Sequence, residues 1–245
     1  MNYRRYYLSG NEWIRIIAEF LFIDLVFSYL FYDSYVAFIV GAAGLLPYIK
    51  YRKKILLKKR RGLLTEEFIE LIGIVSGKMR GGMSCENAFI DSYSDMKNMF
   101  GRSAPILIEL YLIVLRLNRQ ESLEACLYDL GYRSEAEDIR DFAEVFLIAK
   151  SGSGRIRDVI EDTVTIMKEK NETESEIEVI ISGKRLEQKI MCIIPLIIIG
   201  FLRLQIGDFI SVLYHNPIGI GVMSICLMIY IASFLLAERM ADIEV

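Results

Sequence analysis

The sequence predicts an all-α polytopic membrane protein: four transmembrane helices and one six-helix cytoplasmic bundle. Three observations predict it. Apolar residues make up 53% of the 245-residue chain, yet they gather near its two ends. Eight basic and no acidic side chains fall within residues 50–61, whereas residues 62–189 carry 16 basic and 24 acidic ones, a net charge of −8. A soluble domain mixes charge and apolar residues along its length, so the overall net charge of −3 hides a segregated layout. Third, the middle of the chain repeats its apolar residues at three- and four-residue steps, the period of a helix face.

The first region, 1–49, reads as a membrane hairpin. An apolar stretch from about Trp13 to Tyr32 has the length a helix needs to cross a bilayer core. After Asp33-Ser34 a second stretch runs from Tyr35 to Ile49, where Gly41-Ala42-Ala43-Gly44 suits close helix packing. Glu19 and Asp24 lie inside the first stretch. They read either as an ion or proton relay, or as helix–helix hydrogen bonding with Glu19 near the interface.

Residues 50–61 form a basic juxtamembrane collar of Lys50, Arg52, Lys53, Lys54, Lys58, Lys59, Arg60 and Arg61. Anionic lipid and the positive-inside bias account for it. A nucleic-acid patch would need aromatic or base-reading neighbours, and only Tyr51 is present, so no nucleic-acid partner is expected. Arg4, Arg5 and Arg15 precede the first span and Arg239 follows the last. The loops between paired spans carry almost no lysine or arginine. Both termini and the central domain are therefore expected on the cytoplasmic side of the cytoplasmic membrane. No small-x-small cleavage site follows the first apolar run, so a cleaved signal peptide is not expected.

The central region, 62–188, reads as helices. Phe68, Ile69, Ile72, Val75 and Met79 form one face of a helix capped at Thr65 and ended by Gly81-Gly82. A second helix starts at Ser84 and carries Ala88, Phe89, Tyr93 and Met96. A third starts at Ala104-Pro105, with its face at Leu107, Leu110, Tyr111, Val114 and Leu117. A short fourth covers Leu123 to Leu130 and stops at Gly131. A Ser134/Glu137 capping box opens a fifth, which carries Ile139, Phe142, Ala143, Phe146 and Ala149 and ends at Gly152-Ser153-Gly154. The sixth starts near Arg155 with Val159, Ile160 and Met167. It turns polar over 168–176, but without a helix breaker, so it is expected to continue as one helix toward the membrane rather than as a disordered linker. Gly82-Met83-Ser84 before Ala88-Phe89 echoes Gly154-Arg155-Ile156 before Val159-Ile160.

The last region, 189–245, reads as a second membrane pair, at about 189–204 and 217–237. Residues 190–202 hold Pro195 and no polar side chain. His215, the one histidine, adjoins Asn216-Pro217 and has no ligand partners in sequence.

Catalytic machinery is not found. The sequence has no GxxxxGK[ST], GxGxxG after a strand, GxSxG or HExxH pattern. The four cysteines form no CxxC pair and read as small hydrophobes. No enzyme activity, cofactor or metal is expected. Glu161, Asp162, Glu169, Glu172, Glu174 and Glu176 are candidates for an acidic surface that attracts a basic partner; an ordinary solvated helix face would look the same.

Several segments together resemble the type II secretion system F family, and the Tad/Flp pilus branch with its TadB- and TadC-like proteins most of all. Gly81-Gly82-Met83-Ser84-Cys85-Glu86-Asn87-Ala88-Phe89 looks like the family's glycine-to-alanine segment at the second helix. Glu121-Ser122-Leu123-Glu124-Ala125-Cys126-Leu127 looks like its S-L-x-x-A-L helix. Ala149-Lys150-Ser151-Gly152-Ser153-Gly154 looks like its second glycine turn. Ser182-Gly183-Lys184-Arg185-Leu186, Pro195 and Asn216-Pro217-Ile218-Gly219 look like its C-terminal boundary. The resemblance spans roughly 36 to 240. Many members carry two such cytoplasmic domains and this chain carries one, which suits the Tad branch.

The resemblance implies a non-catalytic platform in the cytoplasmic membrane. It would couple a hexameric cytoplasmic secretion ATPase to the extraction and assembly of pilin subunits, alongside a second F-domain protein or a further copy of itself. Two other classes stay open: a membrane-anchored regulator or sensor with a helical output domain, and a small solute transporter. The first would need an extracytoplasmic sensing region, the second polar groups meeting at mid-membrane.

Overall fold

The computed structural model describes residues 10–32, 34, 38–39, 41–152, 156–205 and 216–241. Arg4, Arg5, Ser153, Gly154, Arg155 and His215 lie outside them, as does most of the segment between the last two apolar stretches. The described residues are almost entirely helical and contain no strand. In chain order the helices are α1 (Gly10–Phe31), a 3-10 turn (Ala42–Gly44), α2 (Leu45–Arg80), α3 (Cys85–Phe100), α4 (Pro105–Leu117), α5 (Leu123–Ser134), α6 (Glu137–Ser151), α7 (Ile156–Gln205) and α8 (Pro217–Ala241).

The chain divides into two compact units. The first comprises Lys53–Thr173 among the described residues, the second Arg52 and earlier together with Glu174 and later. The first unit therefore begins inside the basic collar and ends before residue 188.

The first unit has a buried apolar interior. Phe68, Leu71, Ile72 and Val75 of α2 are fully buried with Ala88, Phe89 and Met96 of α3, Ile106 and Leu110 of α4, Leu123 and Leu127 of α5, and Ile139 of α6. Phe68 and Phe142 meet edge to face at 5.3 Å between centroids, a favoured geometry for aromatic pairs. Ile160, Val164 and Met167 bring the first turns of α7 into this core.

Helix α2 is 36 residues long and passes straight through Thr65. The expected cap at Thr65 is therefore wrong. From Tyr48 to Arg80 the only breaker-type residues are isolated glycines, and lysine and arginine are good helix formers, so nothing stops the helix before Gly81. It does stop there. Gly82 has φ +95°, its N–H reaches the Met79 carbonyl at 3.1 Å, and the Met83 N–H reaches the Lys78 carbonyl at 3.2 Å. This is a Schellman ending.

Gly131 does not end α5, which continues to Ser134. A Cβ on Gly131 would lie 2.9 Å from the Arg140 Cα and 3.3 Å from the Arg140 nitrogen. The missing side chain lets α6 approach α5. The expected Ser134/Glu137 capping box is also absent. Ser134 belongs to α5 and its Oγ accepts from the Ala136 N–H at 3.3 Å, while Ala136 occupies the cap position of α6 without a side-chain cap. Glu135 between them takes the left-handed conformation, with φ 52°.

The second unit is turned inside out by comparison. Its buried apolar cluster is small: Leu30 and Phe31 of α1 with Met223 of α8, flanked by Leu196 and Ile199 of α7. Hydrogen bonds tie the same helices, from Tyr32 to Ser224 at 2.9 Å and from the Tyr230 hydroxyl to the Cys192 carbonyl at 2.8 Å. Most large apolar side chains face outward, among them Phe22, Met191, Ile197, Leu204 and Met228. Among the described residues one helix, Ile218–Ala237, is long and apolar enough to cross a membrane, with a mean hydropathy of 2.4. In α1 the charges of Glu12, Arg15, Glu19 and Asp24 interrupt the apolar run, and in α7 the fully apolar run is confined to 190–202.

Helix α7 runs unbroken for 50 residues. The polar 168–176 stretch is helix rather than linker. Pro195 lies within it; the missing N–H there leaves the Met191 carbonyl without its i+4 donor.

Candidate functional site

Three segments that are far apart in sequence meet at one end of the first unit. The Schellman ending of α2 turns the chain into α3, whose cap is Ser84: its Oγ accepts from the Asn87 N–H at 3.4 Å. Ser122 caps α5 in the same way, accepting from the Ala125 N–H at 3.4 Å. These caps fix the first turns of α3 and α5, and with them Glu86 and Glu124. Lys150, in the last turn of α6, places its Nζ 2.9 Å from Glu86 Oε1 and 2.8 Å from Glu124 Oε1. The glycine-to-alanine segment, the S-L-x-x-A-L segment and the second glycine turn are thus joined by one lysine.

Beside this cluster lies a depression of about 550 Å3, lined by Met79, Met83, Cys85, Ala149, Ile156 and Asp158 among others. Its walls come from the end of α2, the start of α3, the last turn of α6 and the first turn of α7. The Lys150 hydrogen bond and charge hold the Glu86 carboxyl below the ordinary range. For Glu124 burial acts upward, but the hydrogen bonds and charge of Lys150 outweigh it and the net shift is down. Burial, reinforced by Glu86, pushes the Cys85 thiol up to about 12. A thiol held that high is not a nucleophile at neutral pH. The cluster is an ionic staple among α3, α5 and α6.

A second charged network links α4 to α5. Glu109, only 1% exposed, accepts from Arg133 at 2.9 Å. Arg133 also reaches Asp129 at 2.9 Å; Arg116 reaches Asp129 at 3.0 Å and Glu121 at 2.6 Å. A depression of about 440 Å3 opens between the two helices over Leu112, Cys126 and these arginines. Burial alone would lower the charge affinity of Arg133, but Glu109 and Asp129 overcome it and raise its pKa.

The acidic candidates divide. At about 100° per residue, Glu161, Asp162, Glu169, Glu172 and Glu176 share one stripe of α7, roughly opposite the buried Ile160, Val164 and Met167. Glu174 falls on the other side. Glu161 is already paired, accepting from Arg80 at 2.9 Å. Asp162, Glu169, Glu172 and Glu176 are exposed.

The collar is helical throughout and forms part of α2. Arg52 is paired with Glu19, which also accepts from the Tyr48 hydroxyl at 3.4 Å. Glu19 thus has partners on the following helix, as the helix–helix hydrogen-bonding reading expected, although the sequence did not name Arg52. Arg61 is paired with Glu135 at the left-handed turn between α5 and α6. Asp24 packs against the Cα of Gly41, which has no room for a side chain.

Two groups stayed hidden in the sequence. Glu67 of α2 accepts from the Ile106 N–H of α4 at 2.9 Å. Glu109, buried in α4, is paired with Arg133 of α5; the one signal in the sequence is a carboxylate flanked by apolar residues, and that does not name its partner. Among the described residues no group of histidine, cysteine and carboxylate side chains is arranged to hold a metal. No protein-family model, curated protein or solved structure matches this chain.

Proposed function

We propose that this chain is a non-catalytic platform of a Tad/Flp-type pilus or type II secretion-like machine, built on four membrane helices with its bundle in the cytoplasm. The membrane helices are α1, the segment leading into α2, the distal part of α7, and α8. The first unit receives force from a hexameric secretion ATPase, and the second unit transmits it to pilin subunits in the membrane.

Helix α7 is the observation that supports this reading most. Its first turns are anchored in the bundle core through Ile160, Val164 and Met167, and the same helix continues to the outward-facing Ile190, Ile194, Ile197 and Phe201. Exposed apolar surface on that scale needs a nonaqueous neighbour. A continuous helix passes on torque or displacement that a flexible linker would absorb. The staple at Lys150 fits a bundle that must move as one body. The exposed acidic stripe of α7 suits a basic ATPase face.

The full chain in lipid nanodiscs, mixed with its co-expressed ATPase, tests the reading. Co-purification is expected, together with loss of binding when Asp162, Glu169 and Glu172 are all changed to Lys. No association with the ATPase, and normal pilus assembly in cells lacking this chain, would overturn it.

A further inference from the structure

A proline inside a helix removes the donor for the carbonyl four residues earlier, and its ring pushes that carbonyl aside. In α7 the weakened turn is 191–195. Within a bilayer no water satisfies such a turn, and a neighbouring helix has to do so. Here the neighbour is α8. The Tyr230 hydroxyl donates to the Cys192 carbonyl at 2.8 Å. Helix α1 positions the tyrosine in turn: its ring lies 5.7 Å from that of Phe27, which stacks on Phe31 at 5.9 Å.

The place of this bond matters more than its strength. Beyond the proline, packing holds α7: Leu196 and Ile199 lie against the cluster of Leu30, Phe31 and Met223. Before the proline, Ile190, Met191, Ile193 and Ile194 face outward. The hydrogen bond from Tyr230 therefore ties the outward-facing half of the helix to α8, across the weakest turn. A bond made beyond the proline would only add to the cluster. A bond made before it fixes the angle between the two halves.

We propose that Pro195 is a hinge in α7 and that the Tyr230 hydroxyl is the latch that fixes its angle. With the latch made, a displacement of the half before Pro195 is passed to α8 through Tyr230. With the latch broken, α7 bends at 191–195 and the displacement is absorbed there. Tyr230 is thus a positioning residue in transmission along α7. That role rests on the platform reading; the hinge itself needs only the placement of α7 and α8 in the membrane.

The test uses the full chain in lipid nanodiscs, with Cys192 and Cys226 changed to Ala; Cys85 and Cys126 are buried. Spin labels are placed at Ser182 on α7 and Leu236 on α8, both exposed. Tyr230→Phe keeps the ring beside Phe27 and removes only the donor. A bend of about 20° over the roughly 20 Å of helix from 195 to 182 displaces position 182 by about 7 Å. Tyr230→Phe should widen the distance distribution by about that much. In a Pro195→Leu background, where the helix regains its own hydrogen bond, the same change should leave the distribution narrow. An unchanged distribution in Tyr230→Phe would overturn the proposal. So would equal widening in both backgrounds, the result expected of a tyrosine that merely packs. Widening confined to the proline background, without any association with the ATPase, would leave the hinge standing and defeat only the platform role. A chain that does not enter nanodiscs would overturn both.

Discussion

The Glu67 carboxylate of α2 accepts the Ile106 N–H of α4 at 2.9 Å, across 39 residues of chain. Helix α4 begins Ala104-Pro105, and Ala104 has no side chain that could cap it. Glu67 supplies the missing acceptor from another helix. Glu67→Ala should destabilise the bundle by about 1–3 kcal/mol, because it leaves a buried donor unpaired. Glu67→Gln keeps an acceptor and should be close to neutral. Chemical unfolding followed by helical circular dichroism measures both.

Burial raises the Glu67 carboxyl above the ordinary range, outweighing the Ile106 hydrogen bond, and Glu66 adds to the rise. The folded state thus binds this proton more tightly than the unfolded chain. Stability from this group is fully present below the unfolded value of 4.5 and is lost as pH rises through the folded one. Wild type should lose ground to Glu67→Gln on going from pH 4.5 to 7. A stability difference that stays flat over that range would contradict the assignment.

Lys150 acts in the opposite sense on Glu86 and Glu124, whose carboxyls are both lowered. Their contribution is present above about pH 4.5 and lost as pH falls through the depressed folded values. Lys150→Met should cost about 1 kcal/mol at pH 7, since the groups are partly exposed. The cost should shrink on acidification below 4.5. Unfolding midpoints at pH 3.5 and 7 distinguish this from a loss of packing, which would not depend on pH.

Two glycines in helices should respond with opposite signs. Gly131→Ala drives a Cβ into the Arg140 backbone, which cannot yield as a flexible side chain would. A loss of about 1–3 kcal/mol is expected, despite alanine's better helix propensity. At Gly62 in α2 an added Cβ would meet nothing within 4 Å, so Gly62→Ala should stabilise by about 0.5–1 kcal/mol. Thermal melts of the two variants make the comparison.

Helix α7 offers a mechanical test. Glu174→Pro removes a backbone donor and kinks or breaks the helix between the two units. Spin labels at Thr165 and Ser182 should broaden from one distance to a wide distribution, and pilus assembly should fail while ATPase binding persists. Assembly that survives the break would contradict transmission through α7.

Much of the helix layout was legible because periodicity and caps are local. Ser84 and Gly82 each marked a boundary through a bond made within a few residues, and Pro105 marked one through its fixed first-turn backbone. Long-range choices were not legible. Gly131 looks like a helix end in sequence, and only the approach of Arg140 shows that it is a packing site. Helix α4 could not be phased, because a helix apolar on both sides has no polar face to orient it: Tyr111 was expected in the core and lies half exposed, while Ile106 and Ile113 are buried. Thr65 has the chemistry of a cap, but a cap forms only where a helix starts, and nothing broke α2 before it. The convergence of Glu86, Glu124 and Lys150 depended on tertiary contacts between segments up to 64 residues apart, beyond the reach of local pattern.

The central claim is a membrane-embedded platform with its bundle in the cytoplasm, and the side of the membrane on which single cysteines react tests it most directly. Ser34→Cys and Asn216→Cys, one in each short connection, and Met99→Cys on the bundle would be treated in intact cells with a membrane-impermeant maleimide, with wild type as the background. The account predicts labelling of positions 34 and 216 from outside, and of position 99 only after the cells are permeabilised. Labelling of position 99 in intact cells, or of positions 34 and 216 only after permeabilisation, would contradict it.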